Sequence, residues 1–276
     1  MIGRVTCVAA TLLFLFASAS PSAAQQGIRF STPEQIKAEF DSVPCKNGER
    51  LNAVRALFEK MGAAASDIAV DKYKNVENLV IRKQGRSEEK IIIGAHYDKV
   101  AEGCGAIDNW TGIVAIAHLY SSLKDVPLSK TILFVAFGKE ELGLVGSHAM
   151  AEAIPKDQRA LYCEMINIDS FGLAAPQVGD NMSSEKLASF VANLAKEMKV
   201  PFSHASIPGA GADSMPFMEK KIPAVTLHGL SNAWPKILHT GNDQSSRINP
   251  VSVYLGYRLS LALVVRLDSS ACDAYR

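Results

Sequence analysis

The chain has 276 residues, 29 basic and 28 acidic side chains, and 48% apolar residues. A formal net charge of +1 leaves no basic excess of the kind that nucleic acid or an anionic membrane surface recruits. The length suits one large domain with a sizeable core, and no internal repeat or low-complexity linker divides it.

The first feature in chain order is a leader. Arg4, the apolar run from Val8 to Ala17 and the small-residue stretch ASASPSAA have the three-part layout of a secretory signal peptide, with cleavage expected after Ala24. The apolar run falls short of the ~20 residues that cross a bilayer, so no membrane anchor is expected after processing. Residues 1–24 are thus read as a signal peptide and 25–276 as a single domain, in a secreted or periplasmic protein. Loss of Arg4 leaves 28 basic against 28 acidic side chains. The oligomeric state has no signature in the sequence.

Helical periodicity predicts helices at about 49–62, 112–123, 184–199 and 251–267. Short, β-rich apolar runs predict strands at about 76–83, 90–95, 131–137, 161–168 and 223–227. Their alternation indicates an α/β domain with a mixed, mainly parallel central sheet. The stretch LVIRKQGRSEEKIII reads as a hairpin through Gly85 and Arg86, which would supply an antiparallel part.

Ligands of such sheets sit beyond the carboxyl ends of the strands, so the residues following each strand matter most. After IIIGA come His96, Tyr97 and Asp98; after TILFVAFGK come Glu140 and Glu141; after CEMINI comes Asp169. His239 follows the loop beyond PAVTL, and Asp108, in GAIDNWTG, stands where a loop enters a helix. Each has an ordinary structural alternative: an N-cap for Asp108, a solvated helix start for the glutamate pair, a satisfied buried imidazole for either histidine. Coincidence at all five strand-end positions is much less probable than at one. Imidazole and carboxylate donors suit zinc, and a carboxylate can bridge two ions about 3.5–4 Å apart. Two divalent cations would also offset the repulsion among so many acids.

The segments GAHYD, GAIDNWTG, GKEELGLVGS, NIDSFG and HTGND, in this order, resemble those of the secreted co-catalytic di-zinc aminopeptidases of the bacterial leucyl aminopeptidase type. Glutamate carboxypeptidase and glutaminyl cyclase belong to the same clan. The resemblance implies a three-layer α/β/α zinc-exopeptidase fold of the phosphorylase/hydrolase-like kind. It implies two Zn2+ ions, other divalent metals being possible, with His96 and Asp169 on one, Glu141 and His239 on the other, and Asp108 bridging. Glu140 would be the general base for a water bridged between the ions, and Asp98 would orient the His96 imidazole. The implied function is hydrolysis of the N-terminal bond of peptides with a free N-terminus. Two alternatives stand beside it: a glutaminyl-peptide cyclotransferase on the same fold, and an inactive peptide-binding relative. Cyclotransferases of the clan typically carry Trp immediately before the last histidine ligand, where Leu238 stands here.

Asp213, His228 and Trp234 are candidate substrate residues, with an N-cap at SMPFMEK, a buried structural imidazole and a core cover as their respective alternatives. Cys7 lies in the leader; Cys45, Cys104, Cys163 and Cys272 remain and allow three pairings in an oxidising compartment. Cys45 with Cys272 is favoured, because both stand outside the predicted core elements near the chain ends.

Overall fold

The computed structural model describes residues 27–276, and the signal-peptide reading of residues 1–24 lies outside them. The strands are β1 (Ile68–Tyr73), β2 (Val76–Lys83), β3 (Lys90–His96), β4 (Thr131–Phe137), β5 (Tyr162–Ile168), β6 (Gln177–Gly179), β7 (Ser203–Ala205) and β8 (Ala224–His228). The helices are α1 (Pro33–Lys37), α2 (Asn47–Lys60), α3 (Thr111–Leu123), α4 (Val145–Ala153), α5 (Glu185–Glu197), α6 (Met215–Glu219) and α7 (Pro250–Asp268). One sheet holds all eight strands in the order β1-β2-β4-β3-β5-β8-β6-β7. Its centre, β4-β3-β5-β8, is parallel, and β1-β2-β4 and β8-β6 pair antiparallel.

Strand pleating sends alternate side chains to opposite faces. In β4, Ile132, Phe134 and Ala136 join one apolar cluster, while Leu133, Val135 and Phe137 join the other. The larger cluster lies under α2, α3, α5 and α7; the smaller lies under α4 and α6. These are the three layers expected. Phe134, fully buried, packs on Phe58 of α2 and Tyr120 of α3 at ring separations of 6.3 and 5.5 Å. Its truncation to alanine would cost about 3–5 kcal/mol.

Two expectations need correction. The β2–β3 hairpin does not form, because β4 lies between the two strands. The 84–89 segment instead crosses the entry to β4, with Arg86 N–H on the Leu128 carbonyl and Ser87 N–H on the Ser129 carbonyl. Gly85 is needed for that crossing and not for a turn: a Cβ there would stand 2.3 Å from the Lys130 carbonyl carbon and oxygen. The actual hairpin is β1–β2, whose register starts at Tyr73 with Val76.

The favoured Cys45–Cys272 bridge is likewise not formed. Cys45 pairs with Cys104, and Cys163 pairs with Cys272. Cys45 precedes α2, whose first turn lies against the loop after β3. Cys272 follows α7, which returns the chain to the start of β5, where Arg276 donates to the Tyr162 carbonyl at 2.7 Å. Cys45 and Cys272 therefore lie at opposite ends of the sheet. Position outside the core does not reveal which end a cysteine reaches.

Candidate metal centre

The five candidate ligands arrive from four strand ends and one helix-entry loop. His96 is the last residue of β3, Glu140 and Glu141 follow β4, Asp169 follows β5, His239 lies between β8 and α7, and Asp108 precedes α3. Parallel strands share one carboxyl edge, so their successors converge. Lys139, Ser170 and His239 adopt left-handed φ of 57°, 58° and 58°, although none is glycine. Such strain, of order 1–3 kcal/mol each, persists where surrounding contacts over-determine the backbone.

The turn after β4 is held from both sides. The Asp98 carboxylate accepts the backbone N–H of Glu140 at 2.9 Å and that of Glu141 at 3.2 Å. On the far side Gly146, in the first turn of α4, donates to the Gly138 carbonyl at 3.0 Å. A Cβ on Gly146 would meet the same carbonyl oxygen at 2.5 Å, so only glycine lets α4 begin so close to the end of β4.

Asp108 stands at the middle of the cluster. Its Oδ1 is 3.0 Å from His96 Nε2 and its Oδ2 is 3.1 Å from His239 Nε2. A second acid completes each side: Asp169 Oδ1 lies 3.7 Å from His96 Nε2, and Glu141 Oε2 lies 3.1 Å from His239 Nε2. His96, Asp108 and Asp169 form one group able to hold a metal ion; Asp108, Glu141 and His239 form another. Glu140 Oε2 approaches His96 Nε2 only to 3.9 Å, and with His96 and Glu141 it forms a further group of possible ligands. His96 Nδ1 faces the Asp98 backbone carbonyl at 3.2 Å, closer than the 3.7 Å to its carboxylate. Asp98 thus meets the imidazole mainly through its main chain, while its side chain holds the glutamate turn.

The N-cap alternative for Asp108 is not realised. Asn109 takes that part, its Oδ1 accepting from Gly112 N–H at 3.0 Å and from Ser170 N–H at 3.1 Å. Nor is Asp213 the cap of α6, which begins after Ser214 without a side-chain cap. Asp213 is wholly buried, and neither carboxylate oxygen has a hydrogen-bond partner among the described residues. Burial pushes its carboxyl up to about 7, against the attraction of His96.

The electrostatics show what the cluster lacks. Burial would strip His96 of its proton, yet Glu140, the hydrogen bond with Asp108 and the nearby carboxylates of Asp169 and Asp98 hold its pKa well above the ordinary value. The hydrogen bond with Asp108 raises His239, against burial. Burial would raise Asp108 too, but its bonds to His239 and His96 keep it well below the carboxylate range. Burial pushes Glu140 well up, with Asp213, Asp169 and Asp108 adding to the rise and His96 opposing it. Glu141 is also raised, by burial and then by Asp108, and its Oε1 is buried without a partner among the described residues. The excess of acids raises the proton affinity of both imidazoles. A divalent cation between each histidine and its carboxylates would offset that excess and free the imidazole lone pairs, so the donor set fits metal ions.

A cleft of about 470 Å³ opens beside the cluster, walled by Met182, Ile207, Leu230, Trp234 and Leu238. Trp234 and His228 both line it, whereas Asp213 lies behind it. Burial pushes His228 down to about 4, so the ring is neutral. Its Nδ1 accepts from the Leu230 N–H at 3.4 Å, which leaves the proton on Nε2, a buried atom without a partner among the described residues.

Two residues that support this centre escaped the sequence reading. Asp243 accepts the backbone N–H of Ile107 at 2.7 Å and of Asp108 at 3.2 Å. It stands in the HTGND segment, so position was the available signal. Arg50, fully buried, donates to main-chain carbonyls of the loop between His96 and Asp108. In sequence it is an ordinary arginine in an amphipathic helix, and nothing there singles it out.

An α/β sheet that gathers two histidines and four acids at one carboxyl edge, beside an apolar cleft, defines a hydrolase-like metal-binding domain. The model of peptidase family M28 matches residues 78–263, and the chain belongs to that family. Among curated proteins, aminopeptidase YwaD of Bacillus subtilis is 25% identical over 182 residues, which cover 64% of this chain and 39% of YwaD. The chain spans less than half the length of the curated relatives it matches. Among solved structures, a zinc aminopeptidase from Bacillus subtilis superposes with a TM-score of 0.63 at 22% identity, covering 72% of this chain and 52% of its own. A glutaminyl cyclase from an Acidobacteriales bacterium superposes with a TM-score of 0.75 at 16% identity, covering 91% and 99%. At such identities these two likenesses speak for the fold.

Proposed function

We propose that the protein is a metal-dependent aminopeptidase that hydrolyses the N-terminal bond of peptides, with two divalent ions, zinc in the first instance, as its cofactors. The observation that carries this reading is the double engagement of Asp108, one carboxylate oxygen toward each histidine, with a further acid beside each. His96 and Asp169 would hold one ion, His239 and Glu141 the other, and Asp108 both. The ions supply Lewis acidity toward water and the scissile carbonyl.

Glu140 remains free of that set and acts as the general base, taking a proton from the attacking water and delivering it to the leaving amine. Its place next to Glu141 and 3.9 Å from His96, on a turn held by Asp98, supports this role. Asp98 fixes Glu140 and Glu141 through their backbone N–H groups, so base and ligand keep one spacing. The cleft receives the N-terminal side chain against Met182, Trp234 and Leu238, and the neutral ring of His228 lines it. Asp213, buried and outside the cleft lining, adds to the rise of the Glu140 carboxyl rather than contacting substrate. The leader-like N-terminus and two disulfides support export to an oxidising compartment.

The test is a panel of amino-acid p-nitroanilides together with a Gln-initiated peptide, assayed with the metal-loaded protein, after chelation and after zinc is restored. Hydrolysis that is lost with the chelator and regained with zinc is expected. Cyclisation of the Gln peptide without anilide hydrolysis would replace the peptidase with a cyclotransferase. Neither reaction at full metal content would leave a binding protein.

A further inference from the structure

The loop from Tyr97 to Asp108 delivers the central carboxylate, and it is gripped by a part of the chain that precedes the family-matched span of 78–263. Arg50 of α2 is 0% exposed. Its Nε donates to the Tyr97 carbonyl, Nη1 to the Cys104 carbonyl at 2.9 Å and to the Pro44 carbonyl at 3.0 Å, and Nη2 to the Gly105 carbonyl at 3.1 Å. The guanidinium also stacks over Trp110, 5.5 Å from the ring centre. Three carbonyls of one loop thereby share a single planar fork, which a lysine ammonium could not reproduce. Asn47, in the first turn of α2, adds a reciprocal pair with the Lys99 backbone at 2.8 and 2.9 Å. The Cys45–Cys104 disulfide makes the same connection covalent.

Burying a guanidinium is costly unless charge and hydrogen bonds offset it. Burial pulls Arg50 down to about 10, and Asp98, Asp108, Asp243 and Glu141 oppose that pull, so it stays a cation. It is the positive charge on the protein side of the acid cluster. From the other side, Asp243 holds the Ile107 and Asp108 amides, and its own carbonyl accepts from Cys104 N–H at 2.9 Å. The loop cannot shift toward α2 or away from it without breaking one set of bonds.

We propose that Arg50, together with the Cys45–Cys104 disulfide, is a clamp that positions the bridging carboxylate of Asp108 and so sets how tightly the centre retains its metal. The proposal rests on the reading of the cluster as a metal centre. Arg50 is a positioning residue and touches neither metal nor substrate. Reduction of Cys45–Cys104 loosens the same loop and makes metal retention sensitive to thiols.

The experiment measures metal content and the rate of zinc transfer to a chromophoric chelator for the full-length protein. Arg50→Lys, Arg50→Gln and the pair Cys45→Ser/Cys104→Ser are compared with wild type. Phe58→Leu, on the core face of the same helix, controls for lost stability, and Cys163→Ser/Cys272→Ser controls for loss of a disulfide as such. Zinc loss about 10–100-fold faster in the Arg50 and Cys45/Cys104 variants than in both controls is expected, the range usual for groups that support metal ligands. Should the Arg50 variants fail to fold, the Cys45/Cys104 pair carries the test, since it leaves the buried charge intact. Zinc release no faster than in the controls overturns the clamp. A wild-type protein that binds no metal overturns the proposed function instead.

Discussion

Asp98 accepts the backbone N–H of Glu140 at 2.9 Å, and through that bond a residue on the β3 side of the site dictates the position of a carboxylate delivered by β4. The same side chain takes the Glu141 amide at 3.2 Å. Asp98→Ala would leave both amides without their buried acceptor and let the turn relax. Turnover is expected to fall about 10–100-fold, with a smaller loss of bound metal, since the Asp98 main-chain carbonyl still faces His96. Steady-state kinetics with metal analysis on one preparation would check this. Loss of metal in proportion to activity would mean that Asp98 serves the ligands rather than the base.

Glu140 and Glu141 are neighbours with separate tasks, and isosteric amides separate them experimentally. Glu140→Gln removes the proton acceptor and keeps the shape, so metal content should hold while kcat drops by roughly 10²–10⁴-fold. Glu141→Gln removes an anionic donor beside His239, so metal occupancy should fall. Metal quantification alongside kcat for both variants decides the matter; equal behaviour of the two would contradict the division.

The contrast between what was and was not legible in the sequence has a physical basis. TILFVAF announces β4 because every one of its residues is buried, and a fully covered parallel strand is apolar throughout. The cluster of candidate ligands was legible because imidazole and carboxylate donors recur after successive strands and parallel strands share one edge. β7, by contrast, is the three-residue Ser203–Ala205 at the sheet margin with no apolar signal. The false hairpin at Gly85 arose because sequence neighbours need not be sheet neighbours once β4 is inserted. Arg50 was invisible for a related reason: its partners are main-chain carbonyls, which carry no residue identity. The cysteine pairing failed where a long-range path, the return of α7 to the base of β5, had to be known first.

Away from the site, Glu164 on β5 is fully buried, and neither carboxylate oxygen finds a partner among the described residues. Burial pushes its pKa up to about 7, with Lys130 and Arg276 opposing and Glu89 adding a little. Below the unfolded value near 4.5 both states hold the proton and the group is neutral in its effect. Between that value and about 7 the unfolded chain has released the proton while the folded chain keeps it, so the folded state binds more protons and stability falls as pH rises. Glu164→Gln should therefore resemble wild type near pH 4 and be the more stable by about 1–3 kcal/mol near pH 8. Thermal melts at the two pH values test it. A variant destabilised equally at both would mean that the ionised acid is paired with Lys130 or Arg276 in solution.

His228 carries the last prediction, because its ring lines the cleft and its buried Nε2–H has no partner among the described residues. A substrate acceptor that meets it recovers about 1 kcal/mol or more, the cost of leaving a buried polar group unsatisfied. His228→Phe keeps the ring and removes the donor, so kcat/KM on amino-acid p-nitroanilides should fall roughly 10-fold, by the 1.4 kcal/mol that a tenfold change represents. Since burial holds the imidazole near 4, the ring is already neutral at pH 6–8. The pH profile of kcat/KM above pH 6 should accordingly keep its shape in the variant and change only in height. A profile that loses its acid limb on substitution would instead make His228 a titrating member of the catalytic apparatus.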